Sequence, residues 1–328
     1  MNSDLTVSSS PHIKSPNNSR LLMIDVLVAL TPALIWGAVV FGPRALIVVG
    51  ISVLSCVIFE VLFRLVLKRP QTILDFSAVV TGLLLAFNLP ASVPFWIPIA
   101  GAFFAIVIVK ELFGGIGKNI VNPALAARVF LYSWPKHMTT FPEPYGYLSS
   151  VDSVASATGT IDAIASATPL TIIKQGAIPT DTSIFDMLIG NCPGTIGEIS
   201  AILLILGGLF LLARKVITWH IPVTFIGTVA VLAFLKNISG SSIDFMLYEI
   251  LGGGLILGAF FMATDYATSP VTKSGRLIFG AGCGLLTVLF RFYGSYAEGV
   301  SFAILIMNLL IWYIDKFTKP VRFGGKSK

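Results

Sequence analysis

The segment ALIVVGISVLSCVIFEVLFRLVL, Ala45 to Leu67, decides the fold class. It is uninterrupted by proline, and Glu60 and Arg64 are its only charged residues. A helix needs about 20 mostly apolar residues to cross the hydrocarbon core of a bilayer, so the segment is predicted to span a membrane. The whole chain fits this prediction, because 55% of its 328 residues are hydrophobic and only 12% are charged.

Further apolar runs lie on both sides of this segment, and we predict an all-α membrane protein with ten transmembrane helices. The third run is stopped by Pro90, and the fifth contains Pro123 and Arg128, so these two are expected to be short or interrupted. The first run has no small-residue cleavage site and is predicted to be a span rather than a removed signal. The ten predicted spans are Leu22–Phe41, Ala45–Leu67, Phe76–Leu89, Phe95–Phe113, Asn119–Trp134, Ile196–Ala213, Val216–Leu235, Phe245–Ala263, Leu277–Phe290 and Val300–Ile314.

The distribution of lysine and arginine predicts the orientation of these spans, because basic residues are retained in short cytoplasmic loops. With both termini in the cytoplasm, sixteen of the 22 basic residues fall on the cytoplasmic side, five fall outside, and Arg128 lies within the membrane. The predicted organisation is a cytoplasmic tail (1–20), a first five-helix repeat (21–134), an extracytoplasmic loop (135–195), a second five-helix repeat (196–315) and a basic cytoplasmic tail (316–328).

Two repeats of five spans each would cross the membrane in opposite senses, because five is an odd number. Thr81–Phe87 (TGLLLAF) and Gly253–Phe260 (GGLILGAF) occupy the third span of each half and support this weakly. The arrangement is the inverted repeat of many transporters, in which broken helices build a site near the midplane.

Other functional classes find little support in the sequence. The net charge of +6 does not predict nucleic-acid binding, because no basic run is interleaved with aromatic residues. Cys56, Cys192 and Cys283 have neither the spacing nor the histidine neighbours of a metal or iron–sulfur site, and no metal ligand set is predicted.

The stretch Glu111 to Arg128 (ELFGGIGKNIVNPALAAR) is unusual for a membrane segment. Its glycines and proline predict non-helical backbone, which membrane depth tolerates only where it lines a cavity or is buried in protein. The spacing of Asn119 and Asn122 predicts that both amides lie on one helix face, where they can bind the polar edge of a ring. A glycine-rich turn with an asparagine cap remains the alternative.

Charged residues in or near the spans are costly to bury. Arg128 is expected to face a partner or a ligand anion, because a guanidinium at the centre of a span costs at least about 2.5 kcal/mol. Most of the acidic residues near spans are close to predicted ends, where water or snorkelling suffices, and none is assigned as an ion ligand. They are Asp25, Glu60, Asp75, Glu111 and Asp265.

A second polar stretch, Phe261 to Arg276 (FMATDYATSPVTKSGR), separates the eighth and ninth predicted spans. It carries one acid and several hydroxyls. A solvated cytoplasmic turn and a functional segment are equally compatible with its composition.

The predicted outer loop contains Ser-Ala-Thr twice, ending at Thr158 and at Thr168. Thr168 precedes Pro169, which favours a helix whose N-cap is this threonine, whereas Thr158 precedes Gly159. A phosphate attached to Thr168 would meet free N–H groups at the helix start, although capping alone favours an ordinary N-cap.

These motifs together resemble those of the NqrB/RnfD family. Ser166 to Leu170 is similar to the family motif at which FMN is bound through a phosphoester to threonine, and Glu111 to Leu125 is similar to its glycine-rich Asn-Pro segment. The resemblance covers the chain from about Leu22 to Asp315, and the short N-terminal tail favours the Rnf branch. One departure is the absence of the glycine that often precedes Ala-Thr in the family, so Thr158 is not excluded on its tripeptide alone.

The resemblance implies a membrane flavoprotein subunit of an ion-translocating ferredoxin:NAD⁺ oxidoreductase. It implies covalent FMN at Thr168 on the outer face, and a noncovalent riboflavin nearer the cytoplasm with Asn119 and Asn122 as contacts. Arg128 is a further candidate for cofactor binding. Electrons would pass from the outer FMN towards the cytoplasmic side, coupled to movement of Na⁺ or H⁺. The implied partners are the other Rnf subunits, RnfA, RnfB, RnfC, RnfE and RnfG.

Three alternatives stay open at this point. The chain also resembles a component of the sodium-pumping NADH:quinone reductase. A urea or ammonium channel without flavin would suit an inverted repeat with broken spans as well. A purely structural membrane protein, with threonines that only cap helices, is the third.

Overall fold

The computed structural model describes residues 18–147, 165–166, 168–174, 182–236, 242–294 and 298–320, and they are mostly helical. Thr158, much of the predicted outer loop and most of both predicted tails lie outside the described residues. Helix formation follows from the membrane environment, because every backbone N–H and C=O group in lipid needs a partner within the protein.

The first half contains one helix in each of its five predicted spans. A 3₁₀ turn, Ile73–Asp75, leads into the third helix, and the fourth continues without a break as a π-helix over Phe104–Glu111. The helices are α1 (Ser19–Phe41), α2 (Pro43–Val66), α3 (Ser77–Phe87), α4 (Trp96–Phe103) and α5 (Pro123–Leu131).

The segment between the halves contains only short elements in its described part. They are α6 (Pro135–Met138), β1 (Phe141–Pro142), β2 (Ala165–Ser166), α7 (Pro169–Lys174) and α8 (Ile184–Ile189). Strands β1 and β2 pair in antiparallel orientation, with Phe141 opposite Ser166. This pairing anchors the chain just before Thr168.

The second half again has helix in all five predicted spans. The eighth predicted span of the chain is broken. One helix ends at Leu251, and the helix that begins at Leu255 is bent from it by 59°. The elements are α9 (Ala201–Ala213), α10 (His220–Lys236), α11 (Ser242–Leu251), α12 (Leu255–Leu257) with a π-helix over Gly258–Met262, α13 (Lys273–Tyr293) and α14 (Val300–Thr318).

Helix length and composition identify a membrane protein with several spans. Among the described residues, α1, α2, α13 and α14 are long and apolar enough to cross a membrane, and the bent pair of α11 and α12 is a fifth candidate. The helices α3, α9 and α10 are apolar but shorter. The class of the fold is therefore confirmed, whereas the complete count of ten spans stays a prediction.

The packing of helices follows the same scheme in both halves. Helix α2 packs against α3 and α4, and α10 packs against α11 and α13. Two further contacts join the halves, because α1 packs against α9 and α5 packs against α14.

The predicted sixth span begins five residues too early, because residues 196–200 are not helical. The backbone N–H groups of Ile196 and Gly197 instead donate to the carbonyls of Leu89 at 3.0 Å and Phe87 at 2.9 Å. The last carbonyls of a helix have no partner within it, so this non-helical segment completes the end of α3. The second half thereby satisfies backbone groups of the first.

Helices α2 and α3 approach closely at a glycine. A Cβ atom on Gly82 would lie 2.7 Å from the Cα atom of Val53, and the Ser52 hydroxyl donates to the Gly82 carbonyl at 2.7 Å. A side chain at this position would push the two backbones apart.

We predict opposite effects for alanine at two helical glycines. Gly82→Ala should lower the free energy of unfolding by about 1–3 kcal/mol, because it overpacks the contact with α2. Gly50→Ala should be neutral or stabilising by up to about 1 kcal/mol, because no described atom outside the local backbone of α2 lies within 4 Å of its added Cβ, and alanine favours helix. Loss of helicity during denaturant titration in detergent measures both, and equal effects would contradict the close approach.

Candidate functional site

The two unusual stretches of the sequence meet at one cavity of about 80 Å³, here called the central cavity. The glycine-rich Asn-Pro stretch contributes Asn119 and Asn122, and the polar stretch after the eighth span contributes Asp265 and Tyr266. Other lining residues come from α1, α3, the π-helix of α4 and α9, including Met23, Ser77, Thr81, Lys110 and Leu211. The polar stretch is therefore part of a site formed by both halves.

The prediction that Asn119 and Asn122 lie on one helix face is wrong. Helix α5 begins only at Pro123, and Asn122 is its N-cap, with its Oδ1 accepting from the N–H groups of Ala124 at 3.0 Å and Leu125 at 3.3 Å. The competing prediction of an asparagine cap is thus confirmed for Asn122. The physical reason is that proline favours the first helical position and asparagine the position before it.

The two amides also differ in what they offer a ligand. The side chain of Asn122 is almost fully used, because its Nδ2 donates to the carbonyl of Met262 at 3.2 Å. Asn119 lies in non-helical backbone, and its buried Oδ1 has no hydrogen-bond partner among the described residues. An unsatisfied buried acceptor is costly, which makes Asn119 the better candidate for a ligand that donates a hydrogen bond.

A buried ion pair forms part of the wall of the central cavity. Lys110 Nζ donates to Glu60 Oε2 at 2.9 Å and to Ser77 Oγ at 2.6 Å, and the side chains of Lys110 and Glu60 are almost inaccessible. Glu60 also accepts from the Thr72 hydroxyl. Pairing and hydrogen bonding together offset the cost of removing two charges from water.

A second ion pair explains the glycines that follow Glu111. Arg64 donates to Glu111 Oε1 from Nη2 at 3.0 Å and from Nε at 3.2 Å. Gly115 has φ of +92°, and a Cβ on it would lie 2.7 Å from Arg64 Nη2. Both the backbone conformation and the contact require glycine, so the turn encloses the guanidinium.

The expectation that water reaches the acids near span ends is wrong for two of them. Glu60 is 1% exposed and Glu111 is 0% exposed, so neither snorkels to a surface. The i, i+4 spacing of Glu60 and Arg64 on α2 brings these two side chains within 3.7 Å, whereas no sequence pattern indicated that Lys110 and Glu111 would reach them from another helix. In contrast, Asp25 pairs with Arg214, whose side chain is 56% exposed.

Arg128 has the partner that its burial predicts. It donates to Glu298 Oε2, and its Nη1 donates to Asn88 Oδ1 at 2.7 Å. Its Nη2 also lies 3.7 Å from Glu198 Oε1. We call Arg128, Glu198 and Glu298 the Arg128 cluster. Two carboxylates hold the guanidinium, whereas its buried Nε has no hydrogen-bond partner among the described residues, so cofactor binding by Arg128 stays a prediction.

Thr168 is the N-cap of α7, as predicted. Its Oγ1 accepts from the Thr171 N–H at 3.3 Å and shares a 2.7 Å hydrogen bond with the Thr171 hydroxyl. Thr168 is only 6% exposed and lines a small cavity of about 20 Å³ together with Glu198 and Glu298. We call this space the threonine cavity. Thr158 lies outside the described residues, so the two threonines are not compared in structure.

A chain of contacts connects the two cavities. At the central cavity, Asn122 Nδ2 donates a hydrogen bond to the Met262 carbonyl. Asn88 Nδ2 lies 3.6 Å from the sulfur of the same methionine. Asn88 then accepts from Arg128, which pairs with the carboxylates at the threonine cavity.

Asp265 differs from the other acids because it lies in the loop after the eighth span. Its Oδ2 accepts from the Thr268 hydroxyl at 3.0 Å. Burial raises the pKa of this carboxyl, and the hydrogen bonds from Thr268 and from the backbone only partly counter that shift. The loop is thus a partly buried wall of the central cavity and not a solvated turn.

Fold and site together define a class of protein, namely a multi-pass membrane protein with polar cavities between two packed halves. Comparison with known sequences gives the family. Residues 6–324 match the NQR2, RnfD, RnfE family, and the chain therefore belongs to it.

Relatives match along almost the whole chain. The Na(+)-translocating ferredoxin:NAD(+) oxidoreductase complex of Acetobacterium woodii has a subunit, lettered D, that is 45% identical over 324 residues, which cover 98% of this chain and 96% of that protein. Its proton-translocating counterpart in Clostridium ljungdahlii is 42% identical over 331 residues, with 98% and 96% covered. The corresponding protein of the ion-translocating oxidoreductase complex of Stutzerimonas stutzeri is 38% identical, with 94% and 92% covered. The family inferred from the motifs is confirmed.

We predict that breaking the Lys110 pair is far more costly than breaking an exposed pair. Lys110→Met leaves the Glu60 carboxylate buried without its ammonium partner and should cost about 3–5 kcal/mol of stability. Asp25→Asn is the control and should cost at most about 1 kcal/mol, because its arginine partner is exposed. Denaturant titration in detergent measures both, and a Lys110→Met variant as stable as the control would show that the pair is not formed.

Proposed function

We propose that the chain is the membrane flavin subunit of a ferredoxin:NAD⁺ oxidoreductase complex that moves Na⁺ or H⁺ across the membrane. In this proposal FMN is attached covalently to Thr168, and riboflavin is held without a covalent bond in the central cavity. Flavins supply chemistry that can both accept and release electrons one or two at a time, while the protein sets their position and potential. Electrons pass through this chain from the outer face towards the cytoplasmic side.

The observation that carries the proposal is the meeting of two unusual sequence stretches at the central cavity. Each could have been an isolated turn, yet both line the same space between the halves. Asn119 presents a buried acceptor there that lacks a partner among the described residues. The polar edge of a flavin ring carries an N–H donor that such an acceptor can bind, so Asn119 suits this group, whereas a whole riboflavin needs more room than about 80 Å³.

The surroundings of Thr168 fit an attached phosphate only in part. The hydroxyl lies at a cavity and at a helix start, as an attachment site requires. However, Glu198 and Glu298 line the same cavity, and their charge disfavours an anion beside them unless a cation is present. The motif resemblance, rather than the local charge, supports FMN at this position.

The contacts between the cavities support an electron path inside this chain. Asn122, Met262, Asn88 and Arg128 connect the two proposed flavin sites without leaving the buried interior. The path joins groups held by both halves of the chain. A protein whose two sites lay on unrelated surfaces would offer no such continuity.

The predicted topology places the two flavins towards opposite sides of the membrane. Lysine and arginine placement puts residues 135–195 outside and the turn at Gly114 to Asn119 near the cytoplasm. The similar packing of α2 and α10 against their neighbours supports a division into two related halves, which this topology assumes.

The relatives bear on the coupling ion and the partners. The Acetobacterium and Clostridium relatives, at 45% and 42% identity, are named for Na⁺ and for protons, respectively, so overall similarity does not select the ion. All three relatives are subunits of a complex, and we propose the corresponding partners here, RnfA, RnfB, RnfC, RnfE and RnfG. The outer FMN would exchange electrons with a flavin subunit similar to RnfG, and the inner flavin with one similar to RnfC.

The covalent flavin is tested by matched threonine variants. The chain is expressed with the flavin transferase, and intact mass and in-gel fluorescence under ultraviolet light report the adduct. Wild type and Thr158→Val should carry FMN minus water, whereas Thr168→Val should lose the adduct. An adduct that persists in Thr168→Val would refute the assignment, and loss in Thr158→Val alone would move it to the other copy.

The noncovalent flavin is tested at Asn119. Asn119→Leu should lower the riboflavin released by denaturation at least about tenfold, because a buried hydrogen bond to the ring is lost and the remaining donor is unpaired. Covalent FMN at Thr168 should be unchanged in this variant and serves as its internal control. Full riboflavin content in Asn119→Leu would exclude Asn119 as a contact.

A further inference from the structure

The Arg128 cluster carries a charge imbalance that the flavin proposal does not explain. Arg128 is one positive charge facing the carboxylates of Glu198 and Glu298, and all three side chains are at least nine-tenths buried. Among the described residues, no neighbouring charged group corrects the imbalance. The Tyr132 hydroxyl faces Glu298 Oε2 at 3.4 Å but is neutral.

Arg291, the other buried arginine near this region, pairs with a different carboxylate, although its buried Nε has no hydrogen-bond partner among the described residues. It donates to Glu249 Oε2 at 2.8 Å and to the Gly252 carbonyl at 2.8 Å. Glu249 already balances the charge of Arg291. Arg291 therefore does not compensate the Arg128 cluster, which keeps one surplus negative charge. A buried carboxylate without compensation costs several kcal/mol, so the surplus requires a partner.

The carboxylate of Glu198 also has an unused oxygen. Its Oε1 is buried and has no hydrogen-bond partner among the described residues, although it lies 3.7 Å from Arg128 Nη2. The Thr195 hydroxyl, in the turn just before Glu198, is also buried and has no hydrogen-bond partner among the described residues. Unpaired buried oxygens are uncommon in native proteins and point to a missing ligand.

A proton held between the two carboxyl groups would need a hydrogen bond from one to the other, and a proton on one carboxyl alone is the case that the acidification experiment below separates from Na⁺ binding. Within the described part of the chain, no hydrogen bond joins Glu198 to Glu298, whereas two carboxyl groups that share a proton lie within hydrogen-bond distance. Instead both side chains line the threonine cavity, whose volume of about 20 Å³ is enough for one water-sized occupant.

We propose that the threonine cavity binds one Na⁺ ion between the carboxylates of Glu198 and Glu298. A monovalent ion matches the single surplus charge, whereas a divalent ion would leave a positive one. Carboxylate and carbonyl oxygens are the ligands that hard cations prefer, and the small volume favours Na⁺ over larger monovalent ions. The site stands on these residues alone and does not depend on the proposed flavins.

The position of this site gives it a role if the flavin proposal also holds. A phosphoester on Thr168 would lie beside the same cavity, and the bound cation would offset its charge. The phosphoester and the cation would then be coupled, so loss of the phosphoester charge would alter the affinity of the cavity for Na⁺.

The test compares thermal unfolding of the full chain, expressed without the flavin transferase, in NaCl and in choline chloride at equal ionic strength. The wild-type midpoint should be higher in NaCl, by about 3 °C or more once Na⁺ exceeds its Kd tenfold. Equilibrium binding of ²²Na⁺ should show one site per chain that Glu198→Gln weakens at least tenfold.

Two variants make the result specific. Glu198→Gln keeps the Arg128–Glu298 pair and removes the surplus charge, so it should fold and lose the Na⁺-dependent increase in midpoint. Glu143→Gln alters an exposed glutamate and should keep that increase. Because the chain in this test carries no FMN, failure of the covalent flavin assignment would leave the outcome intact.

Several results would overturn the proposal. They are equal midpoints for wild type in the two salts, an unchanged Na⁺ effect in Glu198→Gln, or an equal loss in Glu143→Gln. A wild-type protein stabilised by acidification but not by Na⁺, with Glu198→Gln abolishing that stabilisation, would show that a proton neutralises the pair instead.

Discussion

A guanidinium buried between membrane helices must be paired, and the pairing of Arg128 fixes how the two halves of this protein meet. Arg128 belongs to α5, while its partners lie at the end of α3, before α9 and before α14. One side chain therefore ties together segments distant in sequence. Lipid supplies no hydrophobic drive for helix association, so such polar contacts and close packing decide which helices adjoin.

The same constraint shapes the central cavity. Lys110 and Glu111 are adjacent in the chain, yet one pairs with Glu60 and the other with Arg64, one turn further along α2. These pairs hold the glycine-rich turn against α2 and leave Asn119 at the cavity. The site is thus a consequence of where charges are neutralised, and its free amide is positioned by ion pairs to a neighbouring helix.

Sequence reasoning recovered the helical membrane class, the family and part of the lining of both cavities. Periodicity and Asn-Pro or Thr-Pro pairs identify apolar helices and their starts, which is why Thr168 was correctly predicted as a cap. What remained hidden depends on contacts between distant segments. Glu198 and Glu298 follow no motif, and only the fold brings them to Arg128. The helix face predicted for Asn119 failed because proline at position 123 starts the helix later.

The π-helix over Phe104–Glu111 has a consequence for how this chain tolerates change in length. A widened turn of this kind absorbs an extra residue, so the chain beyond it keeps the direction that a regular helix would give it. Removing one residue from such a segment returns it to the i→i−4 hydrogen bonding of a regular helix. The same deletion in the regular helix α2 would rotate everything beyond it by about 100° about the helix axis. The π-helix is therefore the part of this helix that we expect to tolerate a shorter chain best.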